Sequence, residues 1–149
     1  MTVVTPELVQ RILRSGGFTD AQTRLHNGTA LPKNKADWNM YSSWALICEE
    51  VLDTEHDPDW YDDILAELTR RGFNFGQIDR MRAFAWQTAG WLNYDRMLWE
   101  WITLNEDDMR IAIDYQLKDG IISPTEHAER MTCIEHPARI LTVPLAKAP

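Results

Sequence analysis

Apolar side chains recur about every 3.6 residues along almost the whole chain, and capping residues stand at the joints between the runs. This pattern demands amphipathic helices, because no single stripe can be buried except against another. Thr5 and Pro6 open a first helix with Leu8, Val9, Ile12 and Leu13 as its stripe, and Gly16-Gly17 stops it. Residues 16–36 read as irregular, "HNGTALPKNK" being loop chemistry. Asp37 is the expected cap of a second helix, whose face holds Tyr41, Trp44, Ala45, Cys48, Val51 and Leu52. Asp57 and Pro58 begin a third, with Tyr61, Ile64, Leu65 and Leu68 inward and Gly72 closing it.

Asn74 with Gln77 predicts a capping box for a fourth helix, with Ile78, Met81, Ala85, Ala89 and Leu92 on its inner face and a kink near Asn93. Trp91, Tyr94, Leu98, Trp101 and Ile102 align in the next run. Asn105 with Asp108 starts another helix, with Met109, Ala112, Ile113, Gln116 and Leu117 inward and Gly120 as its stop. Ser123 with Glu126 caps the last helix around Pro124, with Ala128, Met131 and Ile134 inward and Pro137 ending it. The expectation is all-α, a single compact domain of six to seven helices with an extended C-terminal tail. The N-terminal helix and loop occupy residues 1–36, the helical core 37–136 and the tail 137–149.

A chain of 149 residues fits one domain with a sizeable core. Its two cysteines, Cys48 and Cys133, are too few for a disulfide framework. The N-terminus "MTVVTPELVQ" does not read as a signal peptide, and no run of about 18 apolar residues suits a membrane span. A cytoplasmic protein with reduced thiols and no membrane partner is expected.

Charge is unevenly spread. The formal net charge is −8, which argues against direct nucleic-acid binding. Residues 36–69 hold ten acids and no lysine or arginine, whereas the rest of the chain has 13 acids against 15 bases. Glu49, Glu50, Asp53, Glu55, Asp59, Asp62 and Asp63 thus form a candidate docking surface for a basic protein partner, which their field would steer inward. The aromatic anchor expected with it comes from "WQTAGWLNYDRMLWEW". Trp91 and Trp101 fall on the core stripe, but Trp99 lies about 200° round the helix from Trp101, on a face with Asp95, Arg96 and Thr103.

Other clusters fall short of a site. Asp53 and His56 place a carboxylate and an imidazole one turn apart, but a di-iron bundle needs such a motif twice. Cys133 and His136 are a half-set of zinc ligands. His56, Cys133 and His136 are therefore weak metal candidates, and no cofactor is expected. In "DGIISPTE" the spacing matches the second half of an EF-hand loop, while Tyr115 and Leu117 occupy the first ligand positions. The stretch "LKDGIISPTEHAER" reads as a helix–glycine–helix hairpin, and it resembles the hairpin in the helical part of nitrile hydratase β-type and accessory subunits over its fourteen residues. The aromatic-rich helix that this family sets before the hairpin aligns here only with an insertion, so the resemblance implies the hairpin and no activity. The phosphate-loop, G-x-S-x-G and H-E-x-x-H motifs are not found.

The expected function is a non-catalytic protein-binding adaptor, accessory subunit or regulator. An alternative is an acidic inhibitor or immunity-type protein that blocks a basic, nucleic-acid-handling partner. A second alternative is a helical metal-binding protein or a subunit of a larger enzyme. The alternating Ile140, Leu141, Val143 and Leu145 of the tail would lie on the core or link copies of the chain into a homo-oligomer.

Overall fold

The computed structural model describes Trp38 and residues 40–51, 58–95 and 104–142. Five α-helices run through it: α1 (Ser43–Cys48), α2 (Pro58–Arg70), α3 (Phe75–Ala85), α4 (Glu106–Lys118) and α5 (Pro124–Glu135). A π-helix, Trp86–Asp95, continues α3 without a break, and a 3₁₀ helix, Pro137–Thr142, follows α5. No strand occurs among the described residues. The expected first helix, Asp37, Leu52 and Asp57 lie outside them.

Local chemistry sets most of the boundaries. Asn74, Asn105 and Ser123 each cap a helix, with Gln77, Asp108 and Glu126 returning the bond to the cap backbone. Gly72 and Gly120 follow α2 and α4 in the left-handed region, at φ 99° and 74°, where a side chain would be strained. The second helix begins later than expected. Ser42 is extended and its hydroxyl accepts from the Ala45 amide, so α1 starts at Ser43 and leaves Tyr41 outside the helix and exposed.

The stripes of α2 to α4 pack as their spacing requires. Ile64, Leu65, Leu68, Ile78, Met81, Ala85, Ala89, Leu92, Met109, Ala112 and Ile113 are all buried. Each Leu- or Phe-sized side chain so removed from water contributes roughly 1.5–3 kcal/mol. On α5 the expected face is rotated: Ala128 is exposed and Met131 half-buried, while Arg130, Cys133 and Ile134 point inward.

The kink expected near Asn93 is instead a change of helix type that begins at Trp86. Residues 84–93 are buried on every side, polar Gln87, Thr88 and Asn93 among them. A helix enclosed in this way has no solvated face. Gly90 makes the enclosure possible: a Cβ there would lie 2.9 Å from Trp86 Cε3 and 3.3 Å from Val51 Cγ1. The Thr88 hydroxyl donates to the Phe84 carbonyl, and Gln116 Nε2 of α4 donates to the Gln87 carbonyl at 2.8 Å.

The π-helix packs on α4, α4 on α5, and α1 on α2 and α3. Aromatic rings join these pairs. Trp44 of α1 meets Phe84 at 5.4 Å and donates its indole N–H to the Ile134 carbonyl of α5. Trp38 meets Trp60 edge-on at 5.5 Å. The expected extended tail is corrected for its first residues. Pro137–Thr142 turn as a 3₁₀ helix against α3 and α5, and Ile140 is fully buried. Pro137 suits that turn because its ring fixes φ near −65°.

Candidate functional site

The acidic run divides on folding. Glu49, Glu50 and Asp63, expected on a docking surface, are instead buried. Asp62 is half-buried. Asp53, Glu55 and His56 lie outside the described residues, and so does the side chain of Asp59. Two buried acids of the run, Glu50 and Glu67, are held by arginines. Arg82 of α3 holds Glu50 through Nε and Nη2, both at 2.7 Å, in a fork that matches the carboxylate edge to edge. Burial works against the Arg82 charge, but the Glu50 bonds and the Glu50 and Asp79 charges outweigh it and raise its pKa. Glu67 of α2 binds Arg70 and Arg71, which hold its carboxyl below the ordinary range. Arg71 reaches on to the Trp38 carbonyl at 3.0 Å and the Ser43 hydroxyl at 3.2 Å, tying α2 to α1. Burial pushes the Glu49 carboxyl up to about 7.

Helix periodicity carried a signal for these partners. Arg82 shares the stripe of Ile78, Met81 and Ala85, and a base on an apolar face calls for a buried acid.

Both thiols are shut away. Burial pushes the Cys48 thiol far up, with the charges of Asp108, Glu106 and Glu49 adding to it. Burial takes Cys133 to about 11, although Arg130, Arg80 and Arg139 act in the other direction. A thiolate is the nucleophile, and burial disfavours it at both sulfurs. His136 lies exposed at the C-cap of α5 while Cys133 points inward, so the two do not converge. Among the described residues no group of three or more His, Cys, Asp and Glu is placed to hold a metal. No described helix is long and apolar enough to cross a membrane.

The tryptophans separate in the same way. Trp38, Trp44, Trp86 and Trp91 are buried. Trp99 and Trp101 fall outside the described residues.

The outer face of α4 is the more open site. Ile111 lies off the stripe of Met109, Ala112, Ile113 and Gln116, and it is 44% exposed. Together with Asp114, Tyr115 and Lys118 it lines a depression of about 190 Å³. That is smaller than the roughly 300–1,000 Å³ of ordinary small-molecule pockets. It suits one inserted side chain better. Asp114 and Lys118 stand at it, and α4, its C-cap and the end of α5 carry further exposed acids, Asp107, Asp119 and Glu135. Arg110 is bridged to Asp107 at 3.0 Å and Glu135 at 2.6 Å, so much of its charge is answered locally. His127 of α5 lies 2.8 Å from Asp114 and fixes one edge of the depression. Ser42 hydrogen-bonds Glu106, which brings the exposed Met40 and Tyr41 to the first turn of the same helix.

No protein family, curated protein or solved structure matches this chain.

Proposed function

We propose that this chain is a non-catalytic protein-binding adaptor, accessory subunit or regulator whose partner presents a basic surface. The observation that carries this reading is the α4 face, where Ile111 stands open beside a shallow depression with acids around it. An apolar anchor inside a charged rim is the usual anatomy of a protein interface. Rim acids outnumbering bases would draw a basic partner inward and set the approach. Asp53, Glu55, Asp59 and Asp62 remain candidates for extending that field, and Trp99 for a second anchor. Glu49, Glu50 and Asp63 leave the surface and serve the interior.

Affinity capture from lysate, compared between the wild-type chain and the Ile111→Arg and Asp114→Lys variants, tests the reading. A protein held by the wild type, weakened by salt and lost from both variants is expected. A captured set identical across all three would overturn it. Ile111 is exposed, so its replacement should leave the far-UV circular dichroism unchanged.

A further inference from the structure

Among the described residues two arginines are buried, and they are treated differently. Arg82, 5% exposed, is matched by the Glu50 fork. Arg130, on the inner side of α5, is 3% exposed. A guanidinium carries five N–H donors and no acceptor. Among the described residues Arg130 donates once, from Nη1 to Gln87 Oε1 at 3.3 Å, and no carboxylate pairs with it. Glu126, one turn earlier on the same helix, accepts from the Ser123 backbone in the cap. Glu129 is exposed. Their charges favour the guanidinium, yet burial still holds its pKa below the ordinary value.

Two further arginines gather nearby. Arg80 donates from Nε to the Ile140 carbonyl at 2.9 Å, and Arg139 is its neighbour on the same 3₁₀ turn. Arg130, Arg80 and Arg139 all bear electrostatically on Cys133, one turn beyond Arg130. In a chain of net charge −8, the elements that carry these three bases pack together, α3 and α5 each against the 3₁₀ turn.

We propose that Arg130, with Arg80 and Arg139 beside it, forms a receptor for a small oxyanion, a phosphate or a carboxylate, at the junction of α5 with the Pro137–Thr142 turn. The oxyanion would supply to Arg130 the acceptors that Glu50 supplies to Arg82, and a fork of N–H donors fits such a group edge to edge. The site is separate from the α4 face and stands or falls independently of it.

Thermal unfolding of the full chain against inorganic phosphate, and separately acetate, at ionic strength held constant with chloride, tests the proposal. The wild type should show a saturable rise in Tm, since a ligand bound only by the folded state stabilises it by mass action. Arg130→Met keeps the bulk of the stem and removes the charge. It should fold at least as well without anion, because replacing an unpaired buried charge by an apolar group is often neutral or stabilising, and its Tm should not respond. Should Arg130→Met fail to fold, Arg130→Lys serves instead, with half-saturation weakened roughly tenfold by loss of the fork. A rise with phosphate alone marks a phosphate site, and a rise with both anions a site that also takes carboxylates. No saturable rise in the wild type, or a rise of the same size and midpoint in the variant, overturns the proposal.

Discussion

Glu49 and Glu50 follow α1 directly, Glu49 as its C-cap, and Asp107 and Asp114 stand on α4. The first two are buried and the second two are exposed. The difference is in what faces them. α1 packs on α3, which brings Arg82 to Glu50 across 32 residues of sequence. On the outer face of α4, Asp107 pairs with Arg110 and Asp114 with His127, and both acids stay exposed. A run of like charges in a sequence therefore does not locate a charged surface. Packing sorts its members, burying Glu50 against Arg82, and those left on the surface make the field that a partner would feel.

The sharpest way to break this contrast is to remove one member of the interior pair. Arg82→Met leaves Glu50 buried without its fork and should cost about 3–5 kcal/mol, read from urea unfolding. Next comes Gly90→Ala, which places a methyl 2.9 Å from Trp86 inside the enclosed π-helix. Overpacking of that kind costs about 1–3 kcal/mol, and a neutral result would show that the helix can give way there.

A third effect depends on pH. Glu49 titrates at about 7 in the fold against an ordinary 4.5, so between those values the unfolded chain loses a proton that the folded chain keeps. Stability should fall as pH rises through that window and level off above it. A drop of about 1–2 kcal/mol is expected, allowing for the solvent that still reaches the carboxyl. Glu49→Gln should remove this slope. A flat wild-type profile over the same window, indistinguishable from that of the variant, would show that Glu49 is ionised in the fold. The smallest effect belongs to the outer face. Arg110→Ala breaks two exposed ion pairs and should cost under about 1 kcal/mol.

Much of the helical plan was legible because caps and glycine stops act locally. Asn74, Asn105, Ser123, Gly72 and Gly120 do in the structure what their side chains, or lack of one, require. The π-helix was not legible, since its cause is enclosure of residues 84–93 by several elements at once, with Gly90 fitted against Val51 from another segment. The α5 face differs from its apolar periodicity for a related reason. Apolar periodicity favours Ala128 over Arg130, yet Arg130 turns inward toward Gln87. The candidate site was legible only in outline. An off-stripe Ile111 could be read from helix spacing, but its depression needs Tyr115 and Lys118 in place around it. The buried acids could not be found by counting acids; the clue lay in Arg82 standing on an apolar stripe.

A double-mutant cycle on Glu50 and Arg82 probes the sorting of charge most directly. With Glu50→Leu, Arg82→Met and the pair of changes together, the coupling should come to several kcal/mol, and the double variant should recover most of what either single change loses. Coupling below about 0.5 kcal/mol, the scale of an exposed pair, would mean that Glu50 lies in water and that the acidic run is a surface after all.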